Sequence, residues 1–308
     1  MNIKESVFQF LDEVGGTKSY NTQRSYQNGL NVFLDYLEAI EVKTTSPLEI
    51  LEINHFIGCP GYMGKRRYSK KTIALYTSSI RVFFNWLVVN GHFDPTPQEA
   101  LRFQMAYKDV NKRREKRLPR WPQKNDVDKM LEAVREMEED EIRKSRNIAI
   151  IEFLASTGCR NSEICELKVK DLNMKELSTV VTGKGDKERV VFFNNSAKDA
   201  LIDYWKVRKN AGPESFVFSR HDRGAGKKIK GITTAGVRYI VKSVAKVAGI
   251  KNFTPHYFRH AFAIKVLRET GNLALTQDLM GHADPSATRV YAKIYPEDLR
   301  EMHHEIFN

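Results

Sequence analysis

The sequence predicts a mainly α-helical protein with a small antiparallel β-sheet, divided between two domains. Three observations carry that reading. The chain has 308 residues, more than one small core usually organises, so two domains are expected. A run from Lys108 to Lys124 holds eight basic residues against two acids and is punctuated by Pro119 and Pro122, the composition of a linker. Apolar residues recur at helical spacing on both sides of it, interrupted once by two β-branched stretches around a glycine turn. The expected boundaries are residues 1–110, a basic linker at 111–117, and 118–308.

In the first segment Tyr26, Leu30, Phe33, Leu34 and Leu37 mark one helix. Ile73, Tyr76, Ile80, Phe83, Phe84 and Leu87 mark another, closed by Gly91 and then Pro95. Gly61 to Thr72 reads as a loop carrying Lys65, Arg66, Arg67, Lys70 and Lys71 beside Tyr62 and Tyr68. A basic loop leading into a helix N-terminus suits phosphate contact. In the second segment Ile148, Ile151, Phe153 and Leu154 make a helix that stops at Thr157-Gly158, and a short helix spans Ser162 to Leu167. Thr179–Thr182 and Arg189–Phe193 are strand-like, with the turn Gly183-Lys184-Gly185-Asp186-Lys187 between them, so a hairpin is expected. From Thr233 onward the pattern is helical to the C-terminus.

Composition narrows the function. Lys plus Arg is 50 and Asp plus Glu is 38, so the net charge is 50 − 38 = +12. That surplus favours a polyanion, with nucleic acid ahead of an anionic membrane surface, although basic enzymes that bind neither exist. Hydrophobic residues at 41% and charged residues at 29% exclude wholesale disorder. No stretch approaches the roughly 18 uncharged apolar residues of a membrane span. The start, MNIKESVFQFLDEV, has acids inside its apolar pattern, unlike a secretory signal. Cys59, Cys159 and Cys165 are an odd set without C-x-x-C, so neither a disulfide scaffold nor a cysteine zinc site is expected, and a cytoplasmic location fits.

Four places can carry chemistry. Thr254 and Pro255 suit the N-cap and first position of a helix running to about Glu269, with Gly271 beyond. His256 and Arg259 then share a face near its N-terminus, either as a phosphate clamp or as one buried histidine and one surface arginine. Gly281 ends a helix and Asp284-Pro285 begins another, which holds His282 in the corner. Tyr291, nine residues on, is a candidate nucleophile or a core residue, with Tyr295 as its rival. Arg160 follows a helix stop, where it is either a surface arginine beside a helix cap or a side chain that the loop aims into a site. Lys184 sits between two glycines at the hairpin tip.

Arg160, Lys184, His256-x-x-Arg259, His282 and Tyr291, in that order and at these distances, resemble the tyrosine recombinase (phage integrase) family, most closely its Xer-type and mobile-element resolvase-like members. The motif match covers about residues 118–300, and the N-terminal segment looks like the family's helical core-binding domain. Asn161, Phe258, Ala261 and Ala287 depart from the usual pattern without touching a catalytic position. The resemblance implies a two-domain DNA clamp: a helical core-binding domain plus a mixed α/β catalytic domain. The basic run with Lys112, Arg113, Arg114, Lys116 and Arg117 is a solvated helix end and loop, a strap along phosphates, or both. The resemblance also implies double-stranded DNA with specific core sites as partner, a homodimer on one site, a tetramer in the synapse, and no membrane. The tail, through Ile294, Leu299, Met302 and Ile306, either folds on its own core or docks on a neighbouring protomer.

The implied reaction is strand cleavage and rejoining through a 3′-phosphotyrosyl intermediate and a Holliday junction. Tyr291 is the nucleophile, Arg160 and Arg259 bind the non-bridging oxygens, His282 donates to one of them, His256 is the base on the phenol or a proton relay, and Lys184 protonates the leaving 5′ oxygen. No metal and no cofactor are required, because cations fill those positions. The alternatives are a type IB-like topoisomerase, a catalytically silent DNA-binding regulator, and a metal-dependent nuclease.

Overall fold

A computed structural model describes residues 1–15, 17–112, 123, 125–183, 186–209, 211–221, 230–251 and 253–281. The chain divides into two compact units, Met1–Leu118 and Pro119–Asn308.

The first unit is helical: α1 (Ile3–Gly15), α2 (Tyr20–Ala39), α3 (Ile53–Lys65), α4 (Lys70–Val89) and α5 (Pro97–Lys112). Its core is aromatic. Phe33 stacks on Phe56 at 5.2 Å, and Phe84 on Phe103 at 4.0 Å. The anticipated periodic residues Leu30, Phe33, Leu37, Ile80, Phe83, Phe84 and Leu87 are buried here.

Three details differ from the sequence expectations. The segment read as a loop from Gly61 is helical as far as Lys65, so the connection to α4 is only Arg66 to Ser69. Helix α3 continues through Pro60 and Gly61 because Phe56, Cys59 and Met63 are fully buried on one face. Pro60 has no N–H to give the Phe56 carbonyl one turn back. The Tyr107 hydroxyl on α5 donates to that carbonyl instead, at 3.0 Å. Second, α5 extends to Lys112, two residues into the expected linker. Third, α4 has the length and apolar composition of a membrane-spanning helix, which the sequence reading overlooked. Ala74, Ile80, Phe83, Phe84 and Leu87 of this helix are buried in the unit, as in a core helix.

The second unit contains α6 (Asp126–Glu136), α7 (Glu141–Thr157), α8 (Glu163–Glu166), strands β1 (Leu172–Asn173), β2 (Ser178–Thr182) and β3 (Glu188–Phe192), then α9 (Asn195–Arg208), α10 (Thr234–Val247), α11 (Pro255–Thr270) and α12 (Leu273–Met280). The strands form one antiparallel sheet in the order β1-β2-β3, with Val181 opposite Arg189 in the expected hairpin. Helix α7 is the centre of the core. Ile150, Ile151, Phe153 and Leu154 are all fully buried, and α7 packs against α6, α9, α11 and β3. Among the described residues after Thr233 the helical pattern is broken into α10, α11 and α12, with Gly271 and Gly281 in the left-handed conformation at φ 61° and 59° closing α11 and α12. Pro255 opens α11 as expected, but the Thr254 side chain makes no capping bond.

Candidate active site

The site is built where α7 ends. Gly158 caps α7 at φ 61°, a conformation that favours glycine, and a β-carbon there would lie 2.7 Å from the Phe262 ring. The Thr157 hydroxyl accepts from the Cys159 amide at 3.2 Å, which turns the chain toward Arg160. Burial pushes the Cys159 thiol up to about 11, so it adds no negative charge beside the arginine.

Arg160 is held by Glu163, one turn on. Its backbone N–H donates to Glu163 Oε2 at 2.8 Å, and its Nη1 donates to Oε1 at 2.8 Å. Arg189 completes the carboxylate, with Nη1 to Oε1 at 2.7 Å and Nη2 to Oε2 at 2.8 Å. Burial alone would raise the Glu163 pKa. Hydrogen bonds from Arg189 and the Arg160 amide, with the Arg189 charge, outweigh that and hold it at about 2. The Glu163 side chain is 1% exposed, whereas that of Arg160 is 30% exposed. The carboxylate is thus an internal anchor and the arginine reaches the surface.

Arg259 stands at the start of the second turn of α11 and is buried. Its Nη1 donates to the Gly158 carbonyl at 2.8 Å, and its Nη2 donates to the Met280 carbonyl. Both carbonyls lie at helix C-termini, the negative ends of α7 and α12, which stabilise a cation. The two bonds fix the guanidinium plane. His256, one turn earlier, has its pKa held below the usual imidazole value by desolvation and by Arg259, Arg160 and Arg238. Its ring is therefore neutral at pH 7, able to accept a proton.

The hairpin opens beside this cluster. A β-carbon on Gly183 would lie 3.5 Å from Glu163 Oε1 and 3.7 Å from Arg160 Nη1. Gly183 is the residue before Lys184. Gly281, the residue before His282, packs against the Arg189 side chain. Lys184, His282, Tyr291 and Tyr295, with the whole C-terminal tail, lie outside the described residues. Arg160, His256 and Arg259 are thus brought together, and the chain neighbours of Lys184 and His282 adjoin them.

Sequence reasoning missed Glu163 and Arg189. Glu163 had a local signal, since an acid three residues after Arg160 at a helix start can reach back to its amide. Arg189 also had one. It alternates with outward-facing Val190 and Phe192 and shares the inward face with buried Val191, where a charge needs a partner.

In the first unit the side chains of Lys65, Arg66, Arg67, Lys70 and Lys71 are all exposed. The Arg66 guanidinium lies 5.1 Å from the centre of the Tyr62 ring, and the Ser69 hydroxyl caps α4 by accepting from the Thr72 amide at 3.0 Å. Lys112 is the last residue of α5, and Arg113, Arg114, Lys116 and Arg117 lie outside the described residues.

Comparison with known proteins agrees with this arrangement. Residues 120–298 match the Phage integrase family, and residues 7–91 match the Phage integrase N-terminal SAM-like domain. Tyrosine recombinase XerD of Listeria innocua is 30% identical over 291 residues, covering 92% of each chain. Tyrosine recombinase XerC of Pediococcus pentosaceus is 30% identical over 310 residues, covering 98% of this chain and 97% of its own. The structure of the XerH site-specific recombinase bound to palindromic difH substrate shares the fold, with a TM-score of 0.71 at 21% identity, covering 91% of this chain and 78% of the other. The mainly helical architecture, the small sheet and these matches have one meaning: the chain belongs to the phage integrase family, the tyrosine site-specific recombinases.

Proposed function

We propose that this protein binds a specific duplex DNA site and exchanges strands there through a 3′-phosphotyrosyl intermediate, with Tyr291 as nucleophile. The Tyr291 oxygen attacks the scissile phosphorus in line, and the bond to the 5′ oxygen breaks. The phenol proton passes to His256, and Lys184 supplies the proton taken up by the leaving 5′ oxygen. Arg160 and Arg259 stabilise the charge that builds on the non-bridging oxygens, with His282 as a further donor. The phosphotyrosyl bond conserves the energy of the broken diester. A 5′-hydroxyl of another strand reverses the attack, which yields a Holliday junction.

The observation that supports this reading is the convergence of two arginines and a histidine from α11 and the loop after α7, tied by the bond from Arg259 to Gly158. Xer-type similarity across nearly the whole chain favours strand exchange over type IB relaxation or a silent regulator. Residues 1–110 would serve as the core-binding domain and 111–117 as the strap, closing with 118–308 on the duplex, two protomers per site and four in a synapse. The basic residues from Lys65 to Lys71 and from Lys112 to Arg117 would contact phosphates.

The test is a nicked duplex made from DNA that the protein footprints beside its own gene. The wild type is expected to form a denaturant-resistant adduct on a 3′ phosphate, leaving a free 5′-hydroxyl, in the presence of EDTA. Tyr291→Phe is expected to form none while binding the duplex as tightly. An adduct with Tyr291→Phe, or one abolished by EDTA, contradicts the reading.

A further inference from the structure

We propose that Arg189 is a positioning residue for strand cleavage: through Glu163 it sets the orientation of Arg160 and the net charge that the Arg160–Glu163 pair presents. This rests on the assignment of Arg160 to the scissile phosphate.

Glu163 receives four donors: Arg160 Nη1 and Arg189 Nη1 on Oε1, and Arg189 Nη2 and the Arg160 amide on Oε2. A carboxylate has about four acceptor positions, so these donors fill it. With Arg189 in place, only one Nη of Arg160 is tied to the carboxylate. Without Arg189, both oxygens become available to the Arg160 guanidinium. A fork-to-fork pair would then draw Arg160 inward, away from the surface.

Charge gives the second part. A single carboxylate against a single guanidinium leaves no net charge for a phosphate. Two guanidiniums about one carboxylate leave one positive charge, and the more exposed partner carries it outward. The Arg160 side chain is 30% exposed and that of Arg189 is 13% exposed, so Arg160 is the one presented.

Position gives the third part. Arg189 lies on β3, directly after the turn that holds Lys184, and pairs across the hairpin with Val181. Its side chain also packs on Gly281, whose φ is 59°. A side chain at 281 would be strained by that backbone and would collide with Arg189. One residue therefore joins the hairpin, the Arg160 loop and the end of α12.

The test compares single-turnover cleavage of the nicked duplex with duplex affinity for Arg189→Met, Arg189→Lys, Arg160→Ala and the double variant Arg160→Ala with Arg189→Met. Thermal melting checks that each folds, and Arg189→Lys stands in if the methionine variant does not. Arg189→Met is expected to cut the cleavage rate by roughly tenfold to a hundredfold, as a small misplacement of a catalytic group does, with affinity nearly unchanged. Arg189→Lys is expected to fall between it and the wild type. In the Arg160→Ala background Arg189→Met is expected to cost little more, because its effect is carried by Arg160. If it costs its full factor there, the positioning role is overturned while the site assignment stands. If Arg160→Ala itself cleaves at the wild-type rate, Arg160 leaves the site and this proposal falls with it.

Discussion

The Glu163 carboxylate, buried against two arginines, is where stability and chemistry meet. Its pKa of about 2 in the fold lies below the 4.5 of an ordinary glutamate, so folding favours the ionised form. A depressed carboxylate contributes stability that is present above pH 4.5 and lost as pH falls toward 2. The shift corresponds to about 3 kcal/mol. Glu163→Gln is therefore expected to lower the unfolding free energy at pH 7 by a comparable amount. The gap between variant and wild type should narrow as denaturation is repeated from pH 4.5 downward; a constant gap would show that the charge is not the source. Arg160→Ala tests chemistry at the same place. Loss of one donor to a developing oxyanion costs about 2.7–4 kcal/mol of barrier, so cleavage should slow by roughly 10²–10³ with far less change in affinity. The roles of Arg160, His256 and Arg259 were suggested by spacing and motif order. What spacing could not show is that Arg259 is held by the carbonyls of Gly158 and Met280, which come from helices far apart in the chain.

At the scale of elements, legibility followed the strength of local signals. The hairpin was readable because its turn is rich in glycine and its strands are β-branched. The ends of α7 and α12 were readable because a left-handed glycine closes each. Helix α3 was not readable, because Pro60, Gly61 and Gly64 all argue locally for a loop. Tertiary burial of Phe56, Cys59 and Met63 overrides them, and Tyr107 supplies the donor that Pro60 lacks. Tyr107→Phe leaves the Phe56 carbonyl without that donor. A buried acceptor left unsatisfied costs about 1–3 kcal/mol, and denaturant unfolding is expected to show a loss in that range. No measurable loss would mean the carbonyl finds another donor. The low amphipathicity of α7 has a different cause. It is buried on several sides, so its apolar residues run together as Ile150, Ile151, Phe153 and Leu154 rather than in one stripe.

For the whole molecule, the +12 charge and the match of both segments to one family point to the same partner, DNA. Binding is expected to weaken steeply between low and physiological salt. Arg66→Ala and Arg67→Ala are each expected to reduce the slope of log affinity against log salt by about 1, with a roughly equal effect on every sequence. An unchanged slope would remove the Arg66–Ser69 connection from the DNA interface. The family was legible from motif order, because several polar residues had to recur together. The identity of the reactive tyrosine is the central claim, and the sequence provides a direct way to test it. Trypsin cuts after Arg289, Lys293 and Arg300, so Tyr291 falls in the peptide Val290–Lys293 and Tyr295 in Ile294–Arg300. Mass spectrometry of the DNA-linked peptide from the trapped adduct is predicted to find nucleotide on Val290–Lys293; nucleotide on Ile294–Arg300 would contradict the account.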